Sequence, residues 1–92
     1  MKALILVDIQ NDFLPGGPMA VPDGDTVIPI ANRLQGVFSL VVATQDLHPA
    51  NHGSFVSSHP GSKVFAQIDL NGLPQILWPD HCIHARVIYN LI

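Results

Sequence analysis

Two unbroken aliphatic runs, separated by a stretch of helical periodicity, organise the first half of the chain. Ala3–Val7 and Val37–Ala43 show no alternation of polar and apolar side chains, which is typical of parallel strands covered on both faces. Between them, Thr26–Gln35 places its apolar side chains on one helical face, with Asp25 as the expected N-cap and Gly36 as the stop. A strand, a helix and a strand within about 40 residues predict a right-handed β-α-β unit of a three-layer α/β/α fold with a parallel sheet.

The segments outside this unit are polar or rich in turn residues. Gln10–Gly24 is dense in proline and glycine and reads as a connecting loop. Thr44–Asp80 is rich in His, Pro, Gly, Ser and Asn, and we find no strong periodic segment in it. A connector of this length is usually functional. Val87–Ile92 turns apolar again and resembles a strand or a short helix. The length of 92 residues suits one small domain.

The composition argues against nucleic acids and membranes as partners. A net charge of −3 with only four Lys and Arg residues argues against nucleic acid. No apolar run approaches membrane-spanning length, and the run that follows Met1 breaks at Asp8 without a cleavage site of small residues. Cys82 is the only cysteine, which excludes an intrachain disulfide. We therefore expect a cytoplasmic protein without a membrane or nucleic-acid partner.

Imidazole and carboxylate side chains cluster in two short windows. Asp46 and His48 lie two residues apart, so in an extended segment their side chains point to the same side. His52 is close enough in sequence to approach the same point, and His81 comes from the second window. One carboxylate and two imidazoles suit Zn²⁺, Fe²⁺ or Mn²⁺ and leave coordination positions open. The alternative is a set of loop histidines that only form hydrogen bonds.

Asp8 and Cys82 are the other candidates for chemistry. Asp8 ends the first aliphatic run, where open α/β sheets carry their functional groups; it is a general base, a metal neighbour or a carboxylate that caps backbone N–H groups. A nucleophilic thiol needs a setting that favours the thiolate, such as a helix N-terminus or an adjacent cationic imidazole. A metal-bound and neutral His81 does not provide that cation, so we interpret Cys82 as a buried structural thiol. Taken alone, the remaining rings suggest core positions for Phe13 and Trp78 and solvent exposure for His59 and His84.

Five segments form an ordered series of motifs over roughly residues 1–83: Val7–Phe13, Gly16–Pro22, Thr44–Phe55, Leu73–Gln75 and Trp78–Cys82. Jointly they resemble the bacterial nicotinamidase/pyrazinamidase family, which belongs to the isochorismatase-like cysteine hydrolases. The resemblance implies the isochorismatase-like α/β fold and the hydrolysis of nicotinamide to nicotinate and ammonia in NAD salvage.

The resemblance also implies a role for each matched residue. Asp8 would take the proton from a cysteine nucleophile. A divalent metal, whose open position binds the pyridine nitrogen of nicotinamide, would be held by Asp46, His48 and His81, and His52 is an additional ligand in some members. The substrate ring would lie between Phe13 and Trp78.

The chain departs from the family pattern in its catalytic residues. We expect no counterpart of the family's catalytic lysine and nucleophilic cysteine, because the chain ends before their positions. Lys63 lies in the His-rich loop, and Cys82 matches a non-nucleophilic cysteine. Residues 84–92 do not match the family. We therefore expect a truncated N-terminal half that is inactive alone and prone to form oligomers. The alternative is a small, non-catalytic metal-binding remnant. The set of Asp46, His48 and His81 argues against a metal-free relative.

Overall fold

The computed structural model describes residues 1–84, in which short elements are joined by long, ordered loops. The strands and the single helix, in chain order, are β1 (Ala3–Leu6), α1 (Val27–Gln35), β2 (Leu40–Ala43), β3 (Gln67–Leu70) and β4 (Leu73–Ile76). Single turns of 3₁₀-helix occur at Asn11–Phe13, Gly24–Thr26 and Val56–Ser58. The apolar segment predicted at Val87–Ile92 lies outside the described residues.

The β-α-β unit predicted from the sequence is present. β1 and β2 pair in parallel, from Ala3 opposite Leu40 to Leu6 opposite Ala43, and α1 connects them. The pairing continues past the strand ends, because Thr44 N–H donates to the Leu6 carbonyl at 2.9 Å and Asp8 N–H donates to the Thr44 carbonyl at 3.3 Å. The loops that follow the two strands therefore leave the sheet at the same edge.

The burial predicted for these strands is wrong for the described structure. All four residues of β2 are exposed, and Leu6 is the only buried residue of β1. One nine-residue helix contacts only part of one sheet face, and Ala31 is its only buried residue. The unalternated aliphatic sequence indicates a sheet that is covered on both faces, but residues 1–84 do not supply that cover.

The predicted boundaries of the helix and of the second strand also shift. The helix begins at Val27 with Thr26 as N-cap, because Asp25 is taken up in the preceding 3₁₀ turn. No side chain caps this end; Thr26 N–H instead bonds to the Asp23 carbonyl at 3.0 Å. β2 begins at Leu40 rather than at Val37, whose N–H bonds back to Leu34 at the end of the helix. Gly36 is the C-cap, as predicted.

The sequence reasoning missed a hairpin inside the long polar segment. β3 and β4 pair antiparallel through a two-residue turn, Asn71-Gly72, whose φ angles of 53° and 87° are both positive. This is the combination that a type I′ hairpin turn requires and that Asn-Gly favours. Asp69 supports the turn, since its Oδ1 accepts the Gly72 N–H at 2.7 Å. The Asn-Gly signal was present, but strands of four residues gave no clear periodicity.

The tightly buried residues are concentrated around the long polar segment and not between the helix and the sheet. The fully buried side chains include Phe55, Leu77 and Cys82, next to the nearly buried Ile83. Polar groups share this core, namely Gln10, Ser54 and His81. None of the helices in residues 1–84 has the length and apolar character needed to cross a membrane. The core of the described chain therefore surrounds the predicted ligands.

Candidate metal centre

A short parallel β-bridge brings the two histidine-bearing segments together. His48 N–H donates to the Cys82 carbonyl at 2.7 Å, and His84 N–H donates to the His48 carbonyl at 2.7 Å, so that His48 pairs with Ile83. Neither segment forms a regular strand by itself. The bridge places His81 beside the Asp46–His48 segment, although the two are far apart in sequence.

The three predicted metal ligands converge on one point. One ligand atom from each of Asp46, His48 and His81 lies within 4.8 Å of the other two. The two carboxylate oxygens of Asp46 face different rings, Oδ2 at 3.2 Å from His81 Nε2 and Oδ1 at 3.6 Å from His48 Nε2. One carboxylate and two imidazole nitrogens in this arrangement fit a divalent transition metal. Metal binding itself stays a prediction.

The orientation of His81 fits a ligand role. Its Nδ1 lies 2.7 Å from the Pro79 carbonyl, which can only accept a hydrogen bond, so Nδ1 carries the proton. In the neutral ring the lone pair is then on Nε2, the atom that faces Asp46. A backbone carbonyl that fixes the tautomer in this way is the usual support of a metal-binding histidine. The ring is 6% exposed and packs edge-on against Phe13 at 5.8 Å.

His48 is oriented by ring packing and not by a hydrogen bond. Its ring contacts those of His52, Phe55 and His81 at centroid distances of 4.9, 5.2 and 5.0 Å. Its Nδ1 is buried without a hydrogen-bond partner among the described residues. Burial of such a group without a partner costs about 1–3 kcal/mol. The three ring contacts therefore keep His48 in this orientation despite that cost.

His52 lies beside the ligand cluster and not within it. Its Nδ1 accepts the Ser54 N–H at 3.1 Å and lies 2.6 Å from Ser54 Oγ. This lone pair is therefore engaged by the loop, and the neutral ring carries its proton on Nε2. The T-shaped contact of its ring with that of His48, at a centroid distance of 4.9 Å, indicates a supporting role.

Asp8 lies at the sheet edge from which the ligand loop departs. Its Oδ1 accepts a hydrogen bond from Thr44 Oγ1 at 2.7 Å, and its own N–H donates to the same hydroxyl at 3.1 Å. The carboxylate is thus held by a hydroxyl and not by backbone N–H groups, and its backbone φ is 53°. Asp8 and Phe13 line the same cleft, of about 190 Å³. Phe13 also packs on His81, whereas none of the three predicted metal ligands lines this cleft.

Cys82 has the surroundings of a structural thiol, as predicted. The side chain is fully buried, and burial raises the pKa of the thiol to about 12, with further contributions from the carboxylates of Asp46, Asp12 and Asp8. The backbone N–H of Cys82 donates to Asp12 Oδ2 at 2.6 Å and fixes a residue whose φ is 50°. A neutral, inaccessible thiol of this kind is not a nucleophile.

The predictions for the other ring side chains have different outcomes. Trp78 packs against Phe65 at 5.8 Å, so its place at a substrate ring stays a prediction. His84 is exposed, as expected. The prediction for His59 is wrong, because this side chain is partly buried and its Nε2 bonds to the Gly53 carbonyl at 2.7 Å. His59 therefore holds the loop that carries His52.

Comparison with known proteins agrees with the motifs. No family model matches the chain. It is 54% identical over 86 residues to the nicotinamidase of Escherichia coli and 52% identical over 83 residues to that of Acinetobacter baylyi. These matches cover 89% and 90% of the chain but only 40% and 39% of the relatives.

Solved structures give the same result. The chain superposes on an Acinetobacter baumanii nicotinamidase with a TM-score of 0.86 and 50% identity, covering 98% of this chain and 44% of that one. Over almost its whole length the chain is similar to nicotinamidases and pyrazinamidases. A yeast nicotinamidase bound to the inhibitor nicotinaldehyde superposes with a TM-score of 0.82 at 34% identity, covering all of this chain and 49% of that one. The fold is accordingly the isochorismatase-like α/β fold, and the chain spans about two fifths of the length of the curated relatives it matches.

A third neighbour is relevant to the ligand cluster. A pyrazinamidase from Pyrococcus horikoshii in complex with zinc superposes with a TM-score of 0.67 at 35% identity, covering 98% of this chain and 44% of that one. A zinc complex within the family agrees with the donor set formed here by Asp46, His48 and His81.

Sequence reasoning missed the residues that hold the ligand loops. Gln10, Asp12 and Thr44 bond to the backbone or side chains of candidate site residues. Gln10 and Thr44 are not of a type that signals chemistry by itself, and the carboxylate of Asp12 has no histidine beside it in the sequence. Gln10 and Asp12 lie inside the motif Val7–Phe13 and Thr44 begins the motif Thr44–Phe55, and these motifs were the available signal.

Proposed function

We propose that this chain supplies the metal-binding part of an amidohydrolase that converts nicotinamide to nicotinate and ammonia, in cytoplasmic NAD salvage. The observation that carries the proposal is the convergence of Asp46, His48 and His81 within 4.8 Å. This cluster occurs in a chain that is 54% identical over 86 residues to a bacterial nicotinamidase. The nicotinaldehyde bound to the yeast neighbour supports a pyridine ligand.

In this proposal Asp46, His48 and His81 hold one divalent ion, which is Zn²⁺, Fe²⁺ or Mn²⁺. When bound, the ion supplies an open coordination position for the pyridine nitrogen of the substrate. The protein holds both imidazoles with Nε2 directed at Asp46. Because the ligands are neutral imidazoles and an ionised carboxylate, protons compete with the metal and its occupancy falls at low pH.

The roles proposed for the remaining site residues rest on the family resemblance and on the cleft that Asp8 and Phe13 line. Asp8 accepts the proton of a cysteine nucleophile, and Thr44 keeps its carboxylate at the edge of the sheet. Phe13 lines the same cleft and packs on His81, so it is placed to contact one face of the substrate ring. We assign the other face to Trp78, three residues before His81.

For the 92 residues by themselves we propose metal binding without turnover. The only thiol, Cys82, is buried with its pKa raised to about 12, and this favours the second candidate function, a non-catalytic metal-binding domain, for the isolated chain. The loss of a nucleophile lowers turnover by roughly six orders of magnitude in a hydrolase. We expect the isolated chain to release no ammonia from nicotinamide above a blank.

A hybrid enzyme tests the proposed function directly. Residues 1–84 replace the matching segment of the E. coli nicotinamidase, and ammonia release from nicotinamide and bound metal are both measured. We expect an active hybrid with one metal ion. Activity should be lost in Asp8→Asn with the metal retained, and both should be lost in a His48→Ala, His81→Ala double variant. Asp25→Asn, at an exposed carboxylate, is the matched control.

Two results would overturn the proposal. The first is metal stoichiometry unchanged in the double histidine variant, which would refute the ligand assignment. The second is nicotinamide hydrolysis by the isolated chain that Cys82→Ser abolishes, which would make Cys82 the nucleophile.

A further inference from the structure

Gln10 is a buried polar residue that the proposed chemistry does not use. It lies in the loop after β1, between Asp8 and the 3₁₀ turn at Asn11–Phe13, and is 1% exposed. A buried amide of this kind is retained only where its hydrogen-bonding groups find partners. The partners of Gln10 lie next to the proposed metal ligands.

The side-chain amide of Gln10 pairs with both backbone groups of Asp46. Its Oε1 accepts the Asp46 N–H at 2.8 Å, and its Nε2 donates to the Asp46 carbonyl at 3.0 Å. This is the two-bond pattern that a residue of a neighbouring strand would form. The two bonds fix the peptide groups on both sides of the Asp46 Cα and thereby the direction of its carboxylate.

The second N–H of the same amide reaches the other ligand segment. Nε2 lies 3.3 Å from the Sγ of Cys82, the residue that follows His81. The amide oxygen therefore accepts one hydrogen bond, and the amide nitrogen donates two. If the positions of the oxygen and the nitrogen were exchanged, the Asp46 N–H would face a donor and the Asp46 carbonyl would face an acceptor. Asp12, two residues on, holds the Cys82 N–H at 2.6 Å. One loop thus contacts both segments that carry ligands.

We propose that Gln10 is a positioning residue of the metal centre, whose amide sets the separation between the Asp46 carboxylate and the His81 imidazole. The proposal rests on the metal centre proposed above. Gln10 would bind no metal itself and would act only through the backbone of Asp46 and through Cys82. Residues that hydrogen-bond to metal ligands and orient them typically contribute 10–100-fold to metal affinity.

Titration of the metal-free protein with Co²⁺ tests the proposal, with visible absorption as the readout. Gln10→Met keeps the side-chain length and removes the hydrogen bonds. Gln10→Glu keeps the acceptor for the Asp46 N–H and removes both donors. We expect Kd for Co²⁺ to rise about 10–100-fold in both variants and the Co²⁺ absorption bands to change, with far-ultraviolet circular dichroism unchanged. Gln67→Met, at an exposed strand position, is the control and should match the wild type.

The outcomes separate this proposal from the metal centre on which it rests. Wild-type protein that binds no Co²⁺ would overturn both. Wild-type binding together with an unchanged Kd and unchanged bands in the two Gln10 variants would overturn the positioning role alone. A purely structural role would lower the stability without altering the Co²⁺ bands, and that result would also refute the proposal.

Hydrogen exchange in the wild-type protein adds a measurement that needs no variant. The Asp46 N–H is bonded to a buried side chain, so we expect it to exchange slowly and to slow further when Zn²⁺ is added. Fast exchange of this amide, with or without Zn²⁺, would contradict the proposed support by Gln10.

Discussion

Cys82 lies between the proposed ligand His81 and the bridge residue Ile83, with its side chain fully buried. Burial, followed by the charges of nearby carboxylates, raises the pKa of its thiol from 9.0 to about 12. Because the folded state favours the neutral thiol, the resulting stabilisation is fully present below about pH 9. It is lost as the pH rises from there towards 12.

The thiol should therefore be almost unreactive in the native protein. At pH 8 a pKa of about 12 leaves roughly three orders of magnitude less thiolate than an unfolded cysteine has. We expect a chromogenic disulfide reagent to label Cys82 slowly in buffer and rapidly in guanidinium, and not at all in Cys82→Ala. Rapid, stoichiometric labelling of the folded protein would contradict the burial.

The ligands could be predicted from residue type, whereas their supports could not. A carboxylate and imidazoles in two windows indicate metal binding, and Asp46, His48 and His81 do converge. Gln10 gives no comparable signal, because a glutamine in a loop is usually exposed and its role depends on contacts with residues 46 and 82. The Pro79 carbonyl that orients His81 is a backbone group, which side-chain chemistry does not reveal.

At the scale of elements, the β-α-β unit was predictable and the bridge at His48 was not. Aliphatic runs and helical periodicity are local signals, and they located β1, α1 and β2 within a few residues. The pairing of His48 with Ile83 involves no regular strand and depends on a long loop closing on itself. The hairpin at Asn71-Gly72 lies between these cases, since its turn signal was local but its strands were short.

The loop that carries Gln10 depends on a close approach of Gly17. A Cβ at this position would lie 2.6 Å from the Asp12 carbonyl oxygen and 2.7 Å from that of Asn11. Real Cβ contacts are not that short, so Gly17→Ala must displace the backbone around Asp12. We expect a loss of about 1–3 kcal/mol in the free energy of unfolding, measured by urea denaturation with the fluorescence of Trp78, the only tryptophan.

Gly36→Ala is the matched control for this prediction. A Cβ at Gly36 would be 3.7 Å from the Arg33 carbonyl oxygen, an ordinary contact, and its φ of −77° suits any residue. We expect a change within about 1 kcal/mol, in the stabilising direction if any. Equal effects of the two substitutions would show that the close approach at Gly17 does not constrain the loop.

At the scale of the whole molecule, the sheet is the part that the described residues leave uncovered. Large apolar side chains are exposed on both strands, among them Ile5 at 61% and Val42 at 43%, and Val7 just beyond β1 at 66%. The outer edges of the two-stranded sheet have no strand partner in residues 1–84. The Acinetobacter baumanii neighbour contains more than twice as much chain, since this chain covers 44% of it.

We therefore expect the 92-residue chain to self-associate when it is purified alone. Exposed apolar faces and open strand edges favour pairing with other copies, and a small domain has little surplus core to resist it. Light scattering should show a mass above the monomer that rises with concentration, and Val42→Lys on β2 should lower it. Leu73→Lys, on the hairpin and 69% exposed, is the matched control and should have less effect. A monomer with a sharp two-state melt would contradict this expectation and would favour a self-sufficient metal-binding domain over part of a larger hydrolase.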